Sequence, residues 1–474
     1  MKIRLYHKVL VFLSAFMFVI SCGNSEIADP VLTVSTGELT FEAEGGESTI
    51  TIDCNDAWSV NNAASWLQLS QTSGSSGTAV LTFTTMLNNT GATRFTTLVV
   101  SSSNGQARRI TVSQASLIFP SYNTSPQAPD ITGMSSTATE LIAKIALGVN
   151  IGNTLELRGV QPDPTEAYVK FVKQCGFNAV RIPGGWNQSA DQSTAKINDA
   201  YLAKVKQVVQ WCVDNDLYVL LNIHWDGGWL ENNCTVVKKD SVNAKQKAFW
   251  EQIATTMRDF DEHLMFASAN EPNADDTEQM GVLLSYHQTF INAVRSTGGR
   301  NTYRTLVLQG HTDHINTDNF PADPTPNRLA FEWHTYTPSS FTILYDDKVN
   351  GGWDDVRFYW SEVNHSAIEP GRNCSYGEEA ELLEGFNQIK TQFIDKGIPC
   401  IMGEYSAQRW TETRNKFVPK EMDKHNKSVD DWITFNTRQC KAIGAAPFYW
   451  ETGGLLDRTN LKILDQRTLD ALKF

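Results

Sequence analysis

The chain has 474 residues, 41% of them hydrophobic and 20% charged, and 40 Lys+Arg against 53 Asp+Glu leave a net charge of −13. That length calls for two folded domains with ample apolar residues for a large core, which excludes a disordered or fibrous chain. The acidic excess would repel a phosphate backbone and no basic patch offsets it, so nucleic acid is excluded as a partner and neutral substrates fit better. Aromatics make up 10%, with 13 Trp; most serve the core, but flat apolar faces with polar edges are also what sugar rings stack on.

Lys2, Arg4 and Lys8 precede an apolar run from Val9 to Ile20. The run is shorter than the ~20 residues a bilayer-spanning helix needs, and it has the pattern of a secretory signal. It ends in Val19-Ile20-Ser21-Cys22-Gly23, which resembles a bacterial lipobox. That resemblance implies a lipoprotein signal peptide over residues 1–21 and lipidation of Cys22. The chain would then be exported and held at the bacterial outer membrane, on its cell-surface or periplasmic face, by the lipid alone. The other cysteines, Cys54, Cys175, Cys212, Cys234, Cys374, Cys400 and Cys440, contain no C-x-x-C pair, which excludes a zinc ribbon. Their odd number in a core-sized chain suggests buried thiols; Cys234 and Cys374, both in expected loops, are the first pair to consider for a disulfide.

Residues 31–115 are rich in Thr and Ser and carry alternating apolar runs at 48–53, 79–84, 96–101 and 109–113, punctuated by Gly45-Gly46, Gly74, Gly77, Gly91 and Asn104-Gly105. Short period-two runs at near-regular spacing predict a small all-β, immunoglobulin-like sandwich. Gly45-Gly46, Ala57-Trp58, Ser65-Trp66-Leu67, Ser73-Gly74 and Val112-Ser113-Gln114 resemble the BACON domain found at the front of exported proteins from gut Bacteroidetes. That family is often supposed to bind glycan or mucin. Trp58 and Trp66 are more simply core residues, and the module reads first as a spacer. Pro120, Pro126 and Pro129 among Ser, Thr and Asn mark residues 116–130 as a stiff polar linker.

Residues 131–474 alternate β-like with helical stretches. The expected strands are 146–153, 177–183, 217–224, 264–271, 305–309, 329–336, 399–405 and 446–450. Between them lie amphipathic stretches such as 201–215, where Leu202, Val205, Val208, Val209, Cys212 and Val213 recur at three- and four-residue steps. Eight βα units over this length predict an α/β fold, a closed (β/α)8 TIM barrel. The sixth unit is the least regular, with an aromatic-rich loop from Pro338 to Ser375 of the kind that usually carries function.

A barrel of this kind puts its chemistry at the carboxyl ends of the strands. Strand two ends at Arg181-Ile-Pro183, three at Asn222-Ile-His224, four at Asn270-Glu271-Pro272, six at His334-Thr-Tyr336, seven at Gly403-Glu404-Tyr405 and eight at Trp450. A lone Glu there would ordinarily be a structural ion pair, but polar groups ending strand after strand point to a site. Glu271 and Glu404 would face each other across the mouth. Carboxyls about 5 to 5.5 Å apart hydrolyse a glycoside with retention, and about 6.5 to 9.5 Å apart with inversion.

Ala269-Asn270-Glu271-Pro272 and Met402-Gly403-Glu404-Tyr405, together with Arg181-Ile-Pro183, His224, His334-Thr-Tyr336, Trp450 and the opening Gly148-Val-Asn-Ile-Gly-Asn-Thr-Leu155, resemble glycoside hydrolase family 5 and its endoglucanase branches. The resemblance spans the second domain. It implies Glu271 as acid/base and Glu404 as nucleophile, with Arg181 and Tyr336 around the nucleophile. Asn270 and His224 would lie on the reacting sugar, His334 on the acid/base side and Trp450 under that sugar. Trp225 stands where many members have a second histidine, and Gly184-Gly185 where a larger apolar residue is common. Trp186, Trp225 and Trp410, in or near βα loops, are the expected sugar platforms among several loop tryptophans that include Trp229, Trp353 and Trp360. His311-Thr-Asp-His314 suggests metal ligands only superficially, because a third ligand is missing; no metal and no cofactor are expected.

Arg181 beside Glu404 would favour the carboxylate, and Glu271, facing that charge, would be pushed upward and stay protonated. The expected function is a monomeric retaining endo-β-1,4-glucanase acting on cellulose-type glucan, xyloglucan or mixed-linkage glucan. An endo-β-1,4-mannanase is the alternative among enzymes, and a catalytically inactive glycan-binding lipoprotein the alternative among binders.

Overall fold

The computed structural model describes residues 29–88, 93–312, 315–344, 355–412 and 417–474. The lipobox with Cys22, and also His314 and Trp353, lie outside the described residues. The chain parts into two compact units between Ser116 and Leu117.

The first unit is a β-sandwich. One sheet orders Leu32–Val34, Gly46–Cys54, Gly77–Thr85 and Leu67–Leu69; the other orders Glu38–Phe41, Ala107–Gln114, Arg94–Ser102, Trp58–Asn61 and Ser73–Gly74. Period-two burial drives it: Ile50, Ile52 and Cys54 point inward while Thr49, Thr51 and Asp53 face out. Trp58 is core, and a side chain at Gly74 would overlap its indole. Trp66 is half-buried on that core with the Arg94 guanidinium 4.6 Å above its ring.

The second unit is a closed barrel of eight parallel strands: β1 Gly148–Asn150, β2 Ala179–Ile182, β3 Tyr218–Asn222, β4 Leu264–Ala267, β5 Leu306–Gln309, β6 Leu329–Thr335, β7 Cys400–Tyr405 and β8 Ala446–Tyr449. Each falls inside one of the runs expected from the sequence. The strands are buried on both faces, which is why they read as apolar runs rather than alternating ones. Ala179, Leu220, Met265, Ala267, Val307, Ala330, Ile401 and Phe448 pack together in one cluster, and Leu141 and Ile142 of the short helix Ala138–Ile142 join it. Around the barrel lie helices α1 Glu166–Gln174, α2 Asp199–Asp214, α3 Lys239–Met257, α4 Thr277–Ser296, α5 Glu379–Gln392, α6 Met422–Ala442 and α7 Gln466–Lys473. Thr165, Asn198 and Asp276 cap α1, α2 and α4 by accepting from their first free N–H groups. Among the described residues no α-helix separates β5 from β6.

Two expectations change here. The segment read as a linker is bound to the barrel unit from Ser121 onward. The buried Glu251 carboxylate on α3 accepts from the N–H groups of Tyr122 at 2.6 Å and Asn123 at 3.2 Å and from Ser121 Oγ at 3.1 Å. Residues Gln127–Pro129 then pair in parallel with Gly298–Gly299. The cysteines among the described residues are all free and buried, Cys234 and Cys374 included. No helix among the described residues is long and apolar enough to cross a membrane.

Candidate active site

β7 carries the first acid. Trp333 pairs with Met402 but the next residue, His334, pairs with Glu404, so the register slips at Gly403 and sets Glu404 opposite His334. The slip needs glycine, because any side chain at 403 would overlap the Glu332 carboxylate. Glu404 is buried; its Oε1 lies 2.7 Å from Arg181 Nη1 and its Oε2 accepts from the Tyr336 hydroxyl at 2.8 Å.

The second acid, Glu271, follows β4 in left-handed backbone with φ +48°, a conformation that costs a non-glycine residue on the order of 1 kcal/mol. Its N–H is held by Gln309 Oε1 at 2.7 Å. Its carboxylate is 53% exposed and accepts from His334 Nδ1 at 2.8 Å. Ligand-type atoms of Glu271, His334 and Glu404 all lie within 4.8 Å of one another. The two acids thus open on one gap, at one rim.

Behind them Arg181, with no exposed surface, joins the polar strand ends. It pairs with Glu332 through Nε at 2.9 Å, donates to Asn150 Oδ1 at 3.0 Å, and donates to Asn270 Oδ1 at 2.6 Å. Burial opposes its charge, but Glu332 and Glu404 raise its pKa overall. Burial likewise opposes ionisation of Glu332, yet Arg181 and His334 hold it below the usual carboxylate range.

His334 donates Nδ1–H to Glu271 and Nε2–H to Glu332 at 3.0 Å. Ionised carboxylates only accept, so both nitrogens carry protons. Burial works against that charge, but Glu404, Glu271 and Glu332 outweigh it and raise the imidazole pKa to about 9. An imidazolium has no lone pair to offer, so the three-residue cluster does not fit a cation. The same pairing corrects one expectation: burial pushes the Glu271 carboxyl up, but the His334 hydrogen bond and charge, with Arg181, bring it below its ordinary value. At rest the proton sits on His334, and Glu271 and His334 titrate as a pair.

The sugar-facing side is built from β3 and β8. Gly184 N–H donates to Asn222 Oδ1 at 3.2 Å, which leaves the Asn222 amide nitrogen 3.2 Å from His224 Nδ1. That nitrogen can only donate, so His224 accepts on Nδ1 and keeps its N–H on Nε2. Burial and then Arg181 push its pKa well down, and the ring stays neutral. It stacks parallel to Trp450, centroids 5.6 Å apart. Arg181, His224, Asn270, His334, Tyr336 and Trp450 therefore converge as the strand-end pattern predicts.

The outer aromatics divide. Trp225 is 52% exposed beside His224 and free to carry a sugar. Trp186 is fully buried; Gly184 leaves room for its indole to fold back and donate to Asn222 O at 2.9 Å, so it supports β3 and is no platform. Trp410 is half-buried against Leu344, Val356, Phe358 and Tyr359, a small core of the long sixth loop. His311 lines a cleft of about 520 Å³ next to Glu271, with Trp333, Glu381 and Phe386. A larger cavity of about 950 Å³ lies away from the acids, and charges on its rim pair with one another, Lys204 with Asp163 and Lys196 with Asp199, each at 2.6 Å.

Asn150, Gln309 and Glu332 were not singled out by the strand-end pattern. Asn150 sits inside the quoted Gly148–Leu155 segment and Glu332 two residues before His334, so a polar residue within an apolar strand was the available signal.

Residues 146–454 match the cellulase family, glycosyl hydrolase family 5, and residues 56–115 match BACON, a putative N-terminal binding domain. The chain is 33% identical to the xyloglucan-specific endo-β-1,4-glucanase of Bacteroides ovatus over 93% of its own length and 90% of the relative's. It is 27% identical to endoglucanase A of Paenibacillus barcinonensis, covering 76% of this chain and 94% of that one. Among solved structures, the Bacteroides ovatus family 5 xyloglucanase with a XXXG heptasaccharide aligns at 31% identity and a TM-score of 0.67, covering 94% of this chain and 99% of that chain. A xyloglucan-specific β-1,4-glucanase from a ruminal metagenomic library, with XXLG, aligns at 32% identity and 0.64, covering 71% and 95%.

Proposed function

The chain belongs to the cellulase family, glycosyl hydrolase family 5, and from that membership we propose that it is a retaining endo-β-1,4-glucanase whose preferred substrate is xyloglucan. The observation that carries the stereochemistry is the approach of the acids: a carboxylate oxygen of Glu271 and one of Glu404 lie within 4.8 Å of each other, which supports the shorter, retaining separation. The substrate choice is supported by the similarity to enzymes named for xyloglucan.

In the first step Glu404 attacks the anomeric carbon, the bond to the leaving oxygen breaks, and that oxygen takes the proton of the Glu271–His334 pair. Tyr336 and Arg181 hold Glu404 aligned, so little reorientation is needed at the moment of attack. Forming the glycosyl ester removes the Glu404 charge, which was raising the His334 pKa. Glu271 then accepts a proton from water, which attacks the anomeric carbon and frees Glu404. Anomer-resolved NMR of early products is expected to show the β form first, and reducing-end release is expected to be fastest on xyloglucan among xyloglucan, carboxymethylcellulose, barley glucan and mannan. The α form appearing first overturns the mechanism; mannan as the best substrate overturns the assignment of substrate.

The same proposal includes export and lipid attachment through Cys22, supported by the basic residues, apolar run and lipobox-like sequence of residues 2–23. Metabolic labelling with a palmitate analogue is expected to mark the full chain and to be lost in Cys22→Ser; label retained in the variant refutes it.

A further inference from the structure

Behind Glu271 lies a line of buried hydrogen bonds that the reaction itself does not use. His287 on α4 has no exposed surface, and its Nε2 lies 2.8 Å from the carbonyl oxygen of Gln309 at the end of β5. A carbonyl only accepts, so Nε2 carries the proton and Nδ1 is left to accept, which it does from Ser268 Oγ at 2.7 Å. Burial holds this imidazole down to about 4, against the pull of the Gln309 bond, in keeping with a neutral ring. The Ser–His contact has the look of a nucleophile and its base, but Ser268 and His287 are both sealed from solvent and no substrate reaches them.

Both ends of the segment from Ser268 to Glu271 are tied to this one ring. Ser268 is bonded to it directly. Glu271 is tied through Gln309, whose main chain accepts from His287 and whose side chain accepts from the Glu271 N–H at 2.7 Å. Gln246 on α3 adds a bond to the Ser268 carbonyl at 2.9 Å. The residue so braced is the one in left-handed backbone, φ +48°, next to the reacting gap.

We propose that His287 is a positioning residue for the acid/base: the line Ser268–His287–Gln309 holds the Glu271 backbone in its strained conformation, so that one carboxyl can meet both His334 and the leaving oxygen. This rests on Glu271 being the acid/base. A misaimed proton donor harms only reactions that need the proton, and a displacement of this order costs about 10- to 100-fold.

The test compares kcat/KM, which reports the first chemical step, on soluble xyloglucan and on 2,4-dinitrophenyl β-cellobioside, whose leaving group departs without a proton. His287→Ala and Gln309→Ala are each expected to lose about 10- to 100-fold on the polysaccharide and less than about threefold on the activated glycoside. Gln309→Ala removes the acceptor on the Glu271 N–H and keeps the His287 bond to the Gln309 carbonyl, so it tests the Glu271 end of the line. If His287→Ala does not fold, Ser268→Ala, which removes the donor to His287 Nδ1, tests the other end and is expected to show the same selectivity. Glu271→Ala serves as control and is expected to show the same selectivity more strongly. Equal losses on both substrates in the two variants, with a selective control, overturn the brace alone; a control that loses equally on both overturns the acid/base assignment and the brace with it.

Discussion

Glu404→Ala is expected to lower turnover on soluble glucan by about five orders of magnitude or more, the scale seen when a covalent nucleophile is removed. The variant keeps Tyr336 and Arg181 but offers nothing to attack the anomeric carbon. Small anions are expected to enter the vacated space and give the α-configured glycosyl adduct from an activated β-glycoside. Adding azide and identifying that product by NMR checks the role of the residue, and a variant that keeps more than about one per cent of the parent rate on glucan refutes it.

Arg181→Met has the second largest expected effect, and it falls on stability as well as rate. The guanidinium faces Glu332 at 2.9 Å and Glu404 at 2.7 Å, and all three groups are buried. Removing one partner of such a set leaves charges uncompensated in the interior, at a cost of about 3 to 5 kcal/mol. Loss of an electrostatic support beside the nucleophile adds about 10²- to 10³-fold in rate. The pH dependence carries a sign. Glu332 is held below its ordinary value of 4.5, so its share of stability is present above about 4.5 and is lost as pH falls through the folded value. His334 is raised from 6.5 to about 9, so its share is complete below about 6.5 and is lost as pH rises toward 9. Parent and Arg181→Met melting curves should therefore converge as pH falls below about 4.5, and the parent should weaken above neutrality. A gap that stays constant across this range would refute the ionic origin of the loss.

The strand ends were legible because a (β/α)8 barrel buries both faces of every strand, so a Glu, His or Arg at the end of an apolar run needs a reason to be there. That logic found Glu271, Glu404, Arg181 and His334. It was blind to Glu332, which lies inside the apolar run of β6 and shows its purpose only when β2 brings Arg181 alongside. The wrong sign for Glu271 came from weighing only the facing charge of Glu404: burial pushes the carboxyl up, but the hydrogen bond and charge of His334, with Arg181, bring it down. Trp186 was misjudged for a related reason. Its chain position is that of a cleft residue, but Gly184 lets the indole turn inward. Local sequence shows that a ring is near a mouth and leaves its direction to the neighbours.

The strap formed by residues 121–129 bears on where the hydrolase can be separated from what precedes it. A shortened enzyme starting at Ile131, where the βα alternation begins, would strip three donors from the interior carboxylate of Glu251 and take away the carbonyl of Ser125 to which Arg258 donates at 2.9 Å. One starting at Leu117 would keep both. The smallest autonomous catalyst is thus longer at its front than its barrel.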